Sequence, residues 1–143
     1  MVTISEPTLI DDALLKELTS LFRQLNPEMQ SPSIQNFTAT ISDPNCRLLV
    51  ARVDGAVVGT LTLATYPTLS ARRGWIEDVV VDSSQRRRGI GRSLIQRAKE
   101  LASEMGCQTL SLTSSPHRQA AHALYLAEEF LPVGTTLFRL KNQ

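Results

Sequence analysis

One stretch constrains this chain more than any other: Val79-Val80-Val81-Asp82-Ser83-Ser84-Gln85-Arg86-Arg87-Arg88-Gly89-Ile90-Gly91-Arg92-Ser93. An apolar, β-branched run ends at an acid and two serines. An arginine- and glycine-rich turn follows, and then the first residues of a helix. A strand–turn–helix of this kind aims several backbone N–H groups and the positive end of a helix at one point, which makes an anion cradle. The glycines let backbone approach a ligand closely and tolerate positive φ where a turn needs it. Arg86, Arg87, Arg88 and Arg92 surround the cradle, and no acid intervenes between Asp82 and Glu100. A multiply phosphorylated ligand fits this pattern. A basic helix N-terminus that simply faces solvent is the plain alternative.

Two nucleotide motifs are excluded. GxxxxGK[ST] is absent, since one residue separates Gly89 from Gly91 and no Lys-Ser/Thr pair follows. GxGxxG begins at Gly89-Ile90-Gly91 but meets Leu94 where a third Gly is required. What the residues do spell is Arg86-x-x-Gly89-x-Gly91, which resembles the (Q/R)xxGx(G/A) acyl-CoA pyrophosphate loop of the GNAT family of N-acetyltransferases. Further on, Gly106-Cys107-Gln108-Thr109-Leu110-Ser111-Leu112-Thr113-Ser114, then Arg118-Gln119-Ala120-Ala121-His122-Ala123-Leu124-Tyr125, then Glu129-Phe130, resemble the later half of that family. The likeness runs over about residues 45–140. It departs in two places: His117 stands where the family opens its last helix with Asn, and Glu129 where it has the Gly of a "GF" pair.

The chain has 143 residues, enough for one domain (1–143) with a single sizeable core. A net charge of +1 argues against a general nucleic-acid binder, whose basic surplus is large. The positive charge is local instead, with Arg86, Arg87, Arg88, Arg92, Arg97 and Lys99 close together. No run approaches the length of a membrane span. Met1–Ser5 has neither the charged n-region nor the apolar h-region of a secretory signal, so a cytoplasmic location is expected. Cys46 and Cys107 are too few and too isolated for a disulfide framework or a zinc site, and no metal is expected.

The hydrophobic pattern predicts a mixed α/β chain. Val2–Ser5 alternates as a strand. Asp11 or Asp12 caps a helix carrying Leu14, Leu18, Leu21, Phe22 and Leu25, which Asn26-Pro27 stops. Ser33 caps a second helix with Ile34, Phe37 and Ile41. Arg47–Val53 and Ala56–Tyr66 form a hairpin about Asp54-Gly55. Pro67–Gly74 reads as a loop, Trp75–Val81 as an interior strand, Arg92–Met105 as an amphipathic helix closed by Gly106. Leu110–Thr113 is a strand, Arg118–Glu129 a helix and Thr135–Leu140 a last strand. The order β-α-α-β-β-β-α-β-α-β contains one strand–helix–strand crossover, hence a locally parallel pair. The resemblance implies the acyl-CoA N-acyltransferase fold, a mixed central sheet flanked by helices.

The resemblance also implies roles. Acetyl-CoA would be the co-substrate and a small-molecule primary amine the acceptor, joined in one ternary complex for direct transfer. Val79, Val80 and Val81 would pair their backbone with pantetheine, while Arg86, Arg87, Arg88, Gly89, Ile90, Gly91, Arg92 and Ser93 hold the pyrophosphate. Arg118 would touch CoA or an anionic acceptor. An amine is mostly protonated at neutral pH, so a carboxylate base helps. Glu77, mid-strand, is the first candidate to take or orient that amine; its plain alternative is an outward Glu paired with an arginine. Asp78, on the opposite face by alternation, is the second. Tyr125 matches the family tyrosine near the CoA sulfur and would donate to the leaving thiolate, or else be core. His117, His122 and Cys107 each stand alone, and Arg72-Arg73 reads as a solvated pair or an anion contact on the acceptor. Ile76–Val81 with Arg118-x-x-Ala121-His122-x-x-Tyr125 looks most like acetyltransferases of small amines, amino sugar phosphates and aminoalkylphosphonates among them. A protein N-terminal or lysine acetyltransferase shares the loop, and a catalytically inactive acyl-CoA-binding module would keep it. No nucleic-acid or membrane partner is expected, and a homodimer is left open.

Overall fold

The structure, a computed structural model, describes residues 1–9, 11–25, 27–28 and 30–142. Asn26, half of the expected helix stop, lies outside the described residues. The chain divides into two compact units, Met1–Thr113 and Ser114–Gln143.

The first unit is a five-stranded sheet in sequence order: β1 (Val2–Ser5), β2 (Cys46–Val53), β3 (Ala56–Pro67), β4 (Arg72–Val81) and β5 (Thr109–Ser111). β1 to β4 run antiparallel, and β4–β5 is the parallel pair that the crossover helix α3 (Ile90–Glu104) requires. Asp54 and Gly55 both take positive φ, 50° and 82°, as a two-residue hairpin turn demands. β3 and β4 each extend into the expected Pro67–Gly74 loop, so Arg72 and Arg73 belong to a strand rather than to a loop.

Alternation assigns the two faces. Val50 and Val80 face α1 (Asp12–Leu25) and α2 (Ile34–Ser42), clustering with Leu14, Leu18, Leu21 and Phe37. Gly59 turns the other way. A Cβ there would lie 3.1 Å from both Ile90 and Leu94, so the missing side chain is what lets α3 sit down on the sheet. α1 is capped by Asp11, whose carboxylate accepts from the Ala13 N–H at 2.9 Å, and α2 by Ser33, whose hydroxyl accepts from the Asn36 N–H at 3.0 Å. α3 ends at Gly106, φ 81°, with its amide and that of Cys107 bonding back to Ser103 and Ala102, the Schellman pattern.

The second unit holds α4 (Gln119–Ala127) and an extended tail. The expected strand over Thr135–Leu140 is not formed: among the described residues no regular structure follows α4, and Leu137, Phe138 and Leu140 are exposed. The alternation is present in the sequence, but a strand exists only where a neighbour takes up its backbone N–H and C=O groups.

Candidate functional site

The cradle forms at the end of β4. Asp82 caps a single 3₁₀ turn, Ser83–Gln85, accepting from the amide and hydroxyl of Ser84 at 2.9 and 2.8 Å. Those bonds, the backbone one first, hold its carboxyl below the usual carboxylate pKa. The Ser83 amide donates to the Gln24 side chain at 3.0 Å, tying the turn to the end of α1. The chain then reverses through Arg87 (φ 68°) and Gly89 (φ 74°).

Gly89 is the N-cap of α3 and brings no side chain to cap it. The first intrahelical bond runs from the Ser93 amide to the Gly89 carbonyl at 2.9 Å, so the amides of Ile90, Gly91 and Arg92 come before it. A Cβ at Gly89 would meet nothing within 4 Å. Ile90 is buried and anchors this end of the helix against Gly59. The result is a helix N-terminus with no capping side chain and open space where a Gly89 Cβ would stand. Arg88 leans on Gln85 at 3.2 Å.

β4 supplies a second feature. It pairs with β5 only from Arg73 to Trp75, whereas β4 continues to Val81. Among the described residues, no strand pairs with the β5-side edge of β4 from Ile76 onwards. The backbone of Val79–Val81 therefore presents hydrogen-bonding groups along an open edge that leads straight into the cradle.

On its other side β4 is irregular. Thr62 pairs with Glu77 and Thr60 with Val80, leaving Asp78 and Val79 opposite Leu61 alone. This is a β-bulge, and Asp78 takes φ 53° within it. The bulge breaks the alternation that sets Glu77 and Asp78 on opposite faces. Asp78 lines a cavity of about 290 Å³ whose apolar wall is Leu18, Phe22, Phe37 and Leu48, with Thr60 and Thr62 on its floor. Burial pushes the Asp78 carboxyl above its ordinary pKa of 3.8. Glu77 and Asp78 are both exposed residues, Glu77 at the register position facing Thr62, and the Asp78 carboxyl is only partly covered at the cavity.

Tyr125 lies on α4, whose end is a second Schellman turn: the Glu129 amide bonds Leu126 and the Phe130 amide bonds Tyr125 at 2.9 Å. The Phe130 ring meets Tyr125 edge-on at 6.2 Å, the apolar contact that accompanies such turns. Burial raises the Tyr125 phenol, against a smaller opposing pull from the Arg118 charge. The phenol therefore stays protonated. Arg118 is the N-cap position of α4.

The other candidates have structural work. Arg72 bonds Asn45 and, at 2.9 Å, Thr65, so it ties strand ends together; Arg73 reaches Ser70 at 3.4 Å. His122 bonds the Ser115 carbonyl at 3.0 Å, and Cys107 packs beneath Gly74. His117 sits in the turn before α4. Among the described residues no three His, Cys, Asp or Glu gather as a metal site, and no helix is long and apolar enough to cross a membrane. Sequence reasoning missed the cavity, because its wall comes from helices whose apolar spacing reads as core alone. The signal available was Glu77-Asp78: two adjacent acids inside a valine-rich strand suit a bulge better than regular pairing.

Comparison with known proteins finds relatives among N-acetyltransferases. An aminoalkylphosphonate N-acetyltransferase of Salmonella typhimurium is 32% identical over 96 residues, 66% of this chain and 62% of its own length. A probable glucosamine 6-phosphate N-acetyltransferase of Oryza sativa is 42% identical over 50 residues, 35% of this chain and 30% of its own. The chain thus spans less than two thirds of these relatives. A putative acetyltransferase of Agrobacterium tumefaciens superposes with a TM-score of 0.84 at 27% identity, covering 98% of this chain and 99% of that one. The profile of the acetyltransferase (GNAT) family matches residues 12–130, which takes in the open β4 edge, the bulge and the cradle, and the chain belongs to that family.

Proposed function

We propose that this protein transfers an acetyl group from acetyl-CoA to the primary amine of a small molecule, both bound together. The observation that carries this reading is the continuity of the open Val79–Val81 edge with a helix N-terminus that has no capping side chain and open space at Gly89. An extended amide-bearing arm fits the edge, and a pyrophosphate fits the amides at Ile90–Arg92. Arg86, Arg87, Arg88 and Arg92 supply cations around them, and Ser93 and Arg118 are further contacts by the family likeness. When bound, acetyl-CoA supplies the thioester carbonyl that the amine attacks.

The amine approaches from the cavity at the bulge. Asp78 and Glu77 are the carboxylates at the bulge, and Asp78, which lines the cavity and whose pKa is raised by burial, is the better-matched base. Glu77 then orients the amine or relays its proton. Tyr125, assigned by the family likeness, keeps its proton and would give it to the leaving thiolate.

Gly89→Ala tests the cradle. The new Cβ meets no protein atom, so the fold bears only the left-handed φ, about 1–2 kcal/mol. CoA affinity measured by calorimetry should fall by far more than the melting temperature implies, because the Cβ enters the anion's space. Wild-type affinity in that variant would remove the cradle. Amine-dependent thiol release from acetyl-CoA tests transfer, and its absence across a diverse amine panel would leave a binding module.

A further inference from the structure

The cavity at the bulge is acidic rather than basic. Its charged residue, among those lining it, is Asp78. The rest of its polar lining is neutral: Gln30, Ser31, Asn36 and Thr40 at the α2 end, Thr60 and Thr62 on the sheet. Several of those groups are already committed. The Thr60 hydroxyl donates to the Leu49 carbonyl at 2.9 Å, and the Thr40 hydroxyl to the Asn36 carbonyl at 2.8 Å. The start of α2, which could otherwise attract an anion, is capped by Ser33. The apolar lining is Leu18, Phe22, Phe37 and Leu48.

A phosphoryl or phosphonate dianion in such a space would find no Arg or Lys among the lining residues, and it would stand near a carboxylate. An ammonium-bearing group with an apolar or aromatic body gains on both counts. The cavity volume of about 290 Å³ suits a small body of that kind.

From the lining of this cavity we infer that the acceptor is a compact amine with an apolar or aromatic body and no anionic group, in contrast to the phosphorylated or phosphonate acceptors named for the two relatives above. The inference rests on the reading of the cavity as the amine site. The basic groups of the cradle are then reserved for the co-substrate, and the acceptor is chosen by what the cavity omits.

The test compares acceptors that differ only in a phosphate, tyramine against tyramine O-phosphate and glucosamine against glucosamine 6-phosphate, by acetyl-CoA-dependent thiol release. The unphosphorylated member of each pair should have the higher kcat/KM, by about 10²-fold for the aromatic pair, the scale on which an unpaired charge is rejected. Asn36→Arg, an exposed position on the cavity rim, should narrow that ratio by improving the phosphorylated member. Equal or better use of the phosphorylated acceptors by the wild-type protein would overturn the acceptor class and leave transfer intact. A protein that binds acetyl-CoA yet acetylates no amine of either kind would overturn the transfer reading, and the acceptor class with it.

Discussion

Asp78 is a residue whose costs and use point in opposite directions. Its backbone is left-handed, and its carboxyl is partly stripped of water beside Thr60 and Thr62. A carboxyl with a pKa raised on folding holds its proton longer in the folded state than in the unfolded one. Its contribution to stability is therefore full below the unfolded value near 3.8 and is lost as pH rises through the higher folded value. Asp78→Asn keeps a side chain that tolerates positive φ and removes the charge. It should raise the melting temperature at pH 7, and the gain should fade as pH falls through the raised folded value and be gone below about 3.8. Turnover should drop by about 10²-fold, the scale of a general base, with partial recovery at high pH where free amine is plentiful. Glu77→Gln should cost less. If pH–rate profiles show the larger loss for Glu77→Gln, the roles are reversed. The sequence alone puts Glu77 first, as a mid-strand charge that needs a partner or a wet cleft, and its alternation gives no warning of the bulge at Asp78.

At the scale of elements, the sequence exposed most of the frame. Capping residues Asp11 and Ser33, the Asp54-Gly55 turn and Gly106 all sit where local chemistry puts them, since each is decided by neighbours a few residues away. The last strand was not recoverable, because pairing depends on a partner that the alternation of Thr135–Leu140 does not name. Glu129 was legible only as an oddity. The structure explains it: position 129 is the left-handed residue of the turn that ends α4, φ 75°, where glycine carries no steric cost. Glu129→Gly should raise stability by about 1 kcal/mol, less what the glutamate's own interaction contributes, as read by thermal melting. The turn fixes Phe130 on Tyr125, so the edge-on ring contact should persist in the variant. A lower melting temperature would mean that the Glu129 side chain outweighs its backbone strain.

For the molecule as a whole, charge distribution matters more than charge sum. A net charge of +1 gives almost no long-range field, yet six cations fall between Arg86 and Lys99 around the helix that the cradle opens. The attraction they offer is short-ranged and exposed, so it is open to screening, whose reach shrinks from about 30 Å at 0.01 M salt to about 3 Å at 1 M. The apolar contacts along β4 and the backbone bonds of its open edge are not screened in that way. The two parts of the co-substrate should therefore respond differently to salt. CoA, with its phosphates, should lose affinity on the order of tenfold or more as salt is raised from 0.01 to 1 M. Pantetheine, which has the amide arm and no phosphate, should bind weakly at every ionic strength and show a nearly flat curve. Titrating both ligands across that range separates the cradle from the edge without altering a residue. Parallel curves would mean that the arginines around Gly89 do not face the ligand, and that the basic helix start is solvent-facing surface.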